Sequence, residues 1–373
     1  MRIQWLDNLR AIGIFFVVLG HTPGLPEPFE KIIFSFHMPL FFWLSGLMCK
    51  DKIKQISFRA FIKNKAYKLL VPYLFFSIIS YVSWFVLFRH FGSQAKLNLS
   101  PITPLIGIIY GNGIHHLLAH NTVLWFFLCL FATEIFFFFI IRLESKTRIL
   151  AALILLSAIG YIDVWLNPPL PDRFRLPWNI DIALTAVVFY GAGYLLSPYL
   201  LKNRLNFIVN LGFGICYLFF SLINSKVALV AGVYGNFFYF YSAAFSGILF
   251  WKAVAEYLST LFNMKLDINT GQTFRVRLGK AFAKKLARPC RFIETLMLKT
   301  GENTLTIFVF HLLVFPLLTA VQVYIFKIPA SVKHDSIVFS FIYTVVSIIM
   351  LLPVSSLLQR YLPWSVGRFK TAR

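Results

Sequence analysis

The chain has 373 residues, of which 58% are hydrophobic and only 13% charged, and Phe alone occurs 43 times. A soluble globular chain carries roughly 25% charged residues, so at a mean hydropathy of +0.74 this one lacks the polar surface to dissolve, which excludes a soluble enzyme, a disordered chain and a secreted disulfide scaffold. The net charge of +22 would point to nucleic acid in a soluble domain; in a membrane chain the same charge is topology information.

Continuous apolar runs of about 20 residues predict an all-α polytopic membrane protein; the alternating pattern of an outer-membrane barrel is absent. Ten transmembrane helices are expected, at about 4–21, 32–49, 69–89, 122–141, 149–166, 179–197, 205–223, 235–258, 303–325 and 336–360. The first has a short apolar core, Ala11 to Gly20, with Asp7 and Arg10 at one end. It looks like a signal peptide but lacks a small-x-small cleavage site, so it is expected to stay attached. With ten spans both termini share a side. The predicted inner segments hold 26 Lys and Arg and the outer ones 8, so the positive-inside rule predicts that both termini are cytoplasmic. One domain is expected over 1–373, with a basic cytoplasmic loop at about 259–302. There, Phe274, Leu278, Ala281, Phe282 and Leu286 alternate at helical spacing with Arg275, Arg277, Lys280, Lys284, Lys285 and Arg288, the pattern of a basic amphipathic helix on the inner leaflet. The four cysteines, Cys49, Cys129, Cys216 and Cys290, have no CxxC spacing and read as free, mostly buried thiols.

Chemistry concentrates in the first helix. His21 lies eleven positions after Arg10, three turns plus roughly 20°, so the two share a face about 16 Å apart along the axis. An inner cation and an outer imidazole on one stripe suit a long ligand; equally, Arg10 snorkels to one surface while His21 sits at the other. Asp7 either pairs with Arg10 at i,i+3 or caps the helix. Glu134 lies deep in the fourth span, where ionisable groups are costly and face a cavity or a partner. Lys252 and Glu256 are spaced as an i,i+4 pair. Asp163 and Asp181, near outer helix ends, either bind a sugar or contact water. His115, His116 and His120 invite a metal reading, but neither carboxylate nor cysteine accompanies them, and no metal is expected.

The stretches Trp5-Leu6-Asp7-Asn8-Leu9-Arg10-Ala11-Ile12 and Val17-Val18-Leu19-Gly20-His21 resemble the start of the membrane-bound acyltransferase family 3. So does Phe36-His37-Met38-Pro39-Leu40-Phe41-Phe42-Trp43-Leu44-Ser45-Gly46, which is closest to the branch of fucose 4-O-acetylase-like polysaccharide O-acetyltransferases. Lys65-Ala66-Tyr67-Lys68-Leu69-Leu70-Val71-Pro72-Tyr73, Leu124-Trp125-Phe126-Phe127-Leu128, and Gly301-Glu302-Asn303-Thr304 followed by His311 are softer matches. The resemblance implies an acyltransferase of the bacterial inner membrane that moves acetyl from cytosolic acetyl-CoA to a hydroxyl of a cell-surface or lipid-linked glycan. It implies that His21 is catalytic and that Arg10 is catalytic or holds an anionic part of acetyl-CoA. Lys65 and Lys68 replace a pair that the family usually writes as Arg-x-x-Arg; they are expected at the CoA phosphates, although lysine lacks the bidentate fork of arginine. His37, Trp125, Glu134 and His311 are the candidates for substrate binding. No nucleic acid is expected as a partner. The rivals are a glycan transporter or flippase, which would show repeated halves with broken helices, and an O-succinyltransferase of an exopolysaccharide.

Overall fold

The computed structural model describes residues 3–166, 175–263, 292–334 and 336–368. In chain order its helices are α1 (Gln4–Gly20), α2 (Glu27–Leu47), α3 (Phe58–Lys65), a π-helical turn Ala66–Leu70, α4 (Val71–Val86), the short α5 (Gly92–Lys96) and α6 (Ile102–Tyr110), and α7 (Trp125–Ile140). Then follow α8 (Lys146–Leu166), α9 (Ile180–Leu200), α10 (Phe207–Ile223) and α11 (Phe237–Asn263), a helix over 292–302 that we label α12, α13 (Thr304–Ala320) with a π-helical turn Val321–Ile325, and α14 (Ile337–Tyr361). Among the described residues there is no strand, only one isolated bridge between Ala228 and Val233. The chain is an all-α polytopic membrane protein.

Each expected span has a helix, and the boundaries differ where charge misled the reading. The third helix begins at Phe58, not near residue 69, and runs on to His90 through the π-turn. Its first two turns carry Arg59, Lys63 and Lys65 and bury only Phe61, so the segment looks like a loop until Phe61 docks on Phe138 at 4.5 Å. The second helix starts at Glu27, with a proline in its first turn and Glu27 and Glu30 favourably placed against the helix dipole. The predicted basic amphipathic helix at 274–288 lies outside the described residues.

Among the described residues, seven helices are long and apolar enough to cross a bilayer by length and composition. α10 and α1 have 17 residues each, about 25 Å at 1.5 Å per residue, and α2 carries Glu27, Glu30 and Lys31 in its first turns. Apolar side chains such as Ile78, Val86, Ile154, Phe207, Ile215 and Ile342 stand exposed along the outer helices, a surface suited to lipid rather than water.

α1 is the central helix and packs against α2, α11, α13 and α14. Leu9, Ile14, Val17 and Val18 are fully enclosed, as are Asn8 and, nearly so, Asp7. Two glycines set the backbone approaches that position the site. A Cβ at Gly46 would lie 1.8 Å from the Tyr190 carbonyl oxygen, so α2 and α9 touch backbone to backbone. A Cβ at Gly301 would lie 2.0 Å from the Asp7 carbonyl oxygen, so the motif around Gly301 seats the first turns of α1. Beside it, Gln359 donates to Asn303 Oδ1, and Gly367 lies against the Lys68 backbone. The start of α1 and the end of α14 therefore lie at the same end of the bundle.

Candidate active site

At that end a cavity of about 420 Å³ opens between α1, α2, α7, α9, α13 and the π-turn, within the usual range for a small-molecule site. Arg10, Lys65 and Lys68 line it together with Glu134. Arg10 Nη1 donates to Asp7 Oδ1 at 3.1 Å, which decides the two readings of Asp7: it pairs, and the N-cap position belongs to Ile3. Lys65 Nζ donates to Glu134 Oε1 at 2.5 Å, and the Tyr190 hydroxyl donates to the same oxygen at 3.4 Å. Glu134 Oε2 is buried with no hydrogen-bond partner among the described residues. Lys68 forms no ion pair among them. Two of the three cations are thus already neutralised.

The local folding that places these groups is legible. Arg142 donates from Nη2 to the carbonyls of Ile53 (3.0 Å) and Ile56 (2.8 Å) and from Nη1 to that of Phe138 (2.6 Å), while its guanidinium covers the Phe138 ring. This satisfies backbone acceptors at the end of α7 and fastens the turn that leads into α3. Lys65 and Lys68 then flank the start of the π-turn, a local widening of the helix that recurs at functional sites.

The far wall of the cavity is aromatic: Phe41, Phe126, Phe127 and Phe308. Phe126 and Phe308 face each other with ring centroids 5.5 Å apart. Beyond Phe308, at 6.4 Å, is the ring of His311, and the His311 and His21 rings meet edge to face at 5.1 Å. Phe34 stands between His37 (5.1 Å) and His21 (6.3 Å). His21, His37 and His311 thus gather from three helices at the end opposite the cations, although 290 positions separate the first from the last.

Each imidazole is held in the same way. Nδ1 of His21 donates to the Val17 carbonyl at 2.7 Å, Nδ1 of His37 to that of Ile33 at 2.7 Å, and Nδ1 of His311 to that of Phe308 at 2.7 Å. A carbonyl oxygen only accepts, so the Nδ1 atoms carry the protons and in the neutral rings Nε2 presents a lone pair. Three helix-backbone contacts therefore select the tautomer that suits Nε2 to accept a proton. His311 Nε2 is buried without a partner among the described residues.

Other candidates lie elsewhere. Trp125 is buried against Phe126, with centroids 6.1 Å apart, and reaches neither the cavity lining nor the imidazoles. Lys252 and Glu256 form the expected buried pair at 2.7 Å, with Lys252 over the Trp5 ring. Asp181 pairs with Arg175, a fully buried arginine, and does not face water. The premise of a shared helical face for His116 and His120 fails. His115 and His116 have positive φ, 48° and 58°, and interrupt the helix. Among the described residues no three His, Cys, Asp or Glu side chains gather in a metal-binding cluster. Tyr190 and Phe308 were missed; Tyr190 sits in an ordinary apolar helix pattern, and Phe308 differs from its many neighbours only in what it touches.

The chain matches the nodulation protein NolL of Sinorhizobium fredii (strain NBRC 101917 / NGR234) at 32% identity over 111 residues, 27% of this chain. The match covers 30% of the length of that relative. No solved structure gives a significant match. A family model described as an acyltransferase domain, of the acyltransferase 3 type, matches residues 3–360, and the chain belongs to that family.

Proposed function

We propose that the protein is an O-acetyltransferase that moves an acetyl group from cytosolic acetyl-CoA to a hydroxyl of a cell-surface or lipid-linked glycan, in the inner membrane of a bacterium with both termini in the cytosol. The supporting observation is the layout of the site: a cation-lined cavity at the end that holds the start of α1 and the end of α14, an aromatic wall, and beyond that wall imidazoles whose Nδ1 atoms carry the protons. Arg10, Lys65 and Lys68 suit the phosphates of the donor; Lys68 offers the cation without a carboxylate partner among the described residues, and Arg10 remains about one-third exposed within its pair with Asp7. Glu134 orients Lys65 and keeps the net positive charge of the cavity small.

At the other end, His21 Nε2 takes the proton from the acceptor hydroxyl as its oxygen attacks the thioester carbonyl. The C–S bond breaks, the departing thiolate receives that proton from the imidazolium, and the acetate ester is released. The Val17 carbonyl, held to Nδ1–H, stabilises the imidazolium that forms between the two proton transfers. His37 and His311 flank the acceptor hydroxyl. A glycan flippase has no use for a tautomer selected in this way at the end of a cation-lined cavity.

The test is the ester content of the surface polysaccharide, by NMR and mass spectrometry, in a deletion strain complemented with the wild type or with His21→Ala at matched membrane levels. Acetyl groups are expected only with the wild type. Esters unchanged in the deletion strain would remove the glycan assignment, loss of the glycan itself would favour the flippase, and esters restored by His21→Ala would remove His21 from the chemistry. A mass increment of a succinyl group would replace acetyl as the group transferred.

A further inference from the structure

The cavity and the imidazoles do not quite meet. Phe308 lines the cavity on one side and lies against His311 on the other, 6.4 Å between ring centroids. Phe126 and Phe127 brace it at 5.5 and 6.2 Å, and Phe126 is itself wedged against Phe42 at 5.0 Å. Phe308 is 7% exposed and sits one turn before His311 on α13, and its own carbonyl accepts the His311 Nδ1 proton. Its backbone thus helps hold an imidazole while its ring closes the end of the cavity.

We infer that Phe308, braced by Phe126, sets the size and polarity of the acyl group that reaches the histidines. This deepens the proposed function and rests on it. The acyl carbon has to lie within reach of His21 for the chemistry to occur, so whatever extends from that carbon packs against the Phe308 ring. An acetyl methyl fits such a wall, since it adds little volume and buries only apolar surface. A butyryl chain adds two methylenes where aromatic rings already fill the space, and overpacking of that kind is costly. A succinyl group brings a carboxylate to an aromatic wall that offers no donor to it, and burying an unpaired charge is costlier still. The cations that line the cavity stand at its opposite end, and Lys226, over the Phe34 ring at the histidine end, is already paired with Glu30.

The experiment uses the full-length protein in native membranes or nanodiscs, with acetyl-CoA, butyryl-CoA and succinyl-CoA as donors and the strain's own deacylated polysaccharide as acceptor. The readout is the ratio of kcat/KM for butyryl over acetyl transfer. Discrimination of one methylene in an apolar pocket spans roughly 10- to 200-fold, so Phe308→Ala is expected to raise this ratio at least about tenfold. Phe308→Leu, which keeps the wall apolar and the core filled, is expected to raise it less. Succinyl transfer stays poor in both variants, because removing the ring adds no cation. A loss of folding or of His311 positioning lowers all donors together, so an unchanged ratio in variants that still transfer acetyl at a measurable rate overturns the inference while the acetyltransferase stands. Preferred succinyl transfer by the wild type overturns it too. If the wild type transfers no acyl group from any donor, the proposed function itself falls.

Discussion

The Lys65–Glu134 pair is the interaction in this site whose energetics can be worked from geometry. The Glu134 side chain is 6% exposed and that of Lys65 23%, so the two groups are not equivalent. Lys65→Met strands a buried carboxylate with the distant Tyr190 hydroxyl as its remaining donor and Oε2 unpartnered. Breaking a buried pair in this way costs about 3–5 kcal/mol. Glu134→Gln removes one charge-assisted hydrogen bond, about 1.5–3 kcal/mol, and hydration of the partly exposed ammonium returns part of it. The double variant leaves no stranded charge, so it is expected to be more stable than Lys65→Met alone. The coupling energy should reach about 2 kcal/mol, well beyond the roughly 0.5 kcal/mol within which independent sites add. Reversible unfolding of the four proteins in mixed micelles, titrated with a denaturing detergent, measures the cycle. Additive single effects, or a Glu134→Gln penalty as large as that of Lys65→Met, would refute the reasoning. The same four proteins separate stability from function, because the KM for acetyl-CoA should rise in both variants that lack Lys65, even where the double variant regains its stability.

Two further outcomes follow from close packing and from burial. Gly301→Ala drives a Cβ into the Asp7 carbonyl, and overpacking against backbone costs about 1–3 kcal/mol; since Asp7 holds Arg10, the KM for acetyl-CoA should rise with the loss of stability. Gly212→Ala is the control, having no atom within 4 Å of its Cβ, and should be neutral or stabilising by up to about 1 kcal/mol. His120, in the turn before α7, is buried with neither ring nitrogen partnered among the described residues, and burial lowers its pKa from 6.5 to about 4. The unfolded chain therefore binds more protons than the folded one between those values. Stability is full above pH 6.5 and falls progressively to pH 4, by roughly 3 kcal/mol. Unfolding midpoints between pH 7 and 4 should show that slope in the wild type and a flatter one in His120→Phe; equal slopes would mean that His120 is solvated in the folded protein.

Composition and run length by themselves determined that this is a polytopic helical membrane protein, because a continuous apolar run has few other fates. Local spacing determined the Asp7–Arg10 and Lys252–Glu256 pairs as options, since i,i+3 and i,i+4 neighbours on a helix meet whatever the rest of the chain does. It did not choose between pairing and capping for Asp7; that depended on where the helix began. Helix ends were misjudged at Phe58 and Glu27, where charge in the first turns looks like loop until a distant partner, Phe138 for Phe61, buries the one apolar side chain. The gathering of His21, His37 and His311, the Lys65–Glu134 pair and the Phe308 wall belong to the tertiary structure alone. They join residues on different helices, and no periodicity within a helix encodes which face of another helix it will meet. The tautomer of the three histidines lies between these limits. Each Nδ1 bonds a carbonyl within its own helix, so the donor and acceptor are local, while the direction in which Nε2 then points is decided by how α1, α2 and α13 pack.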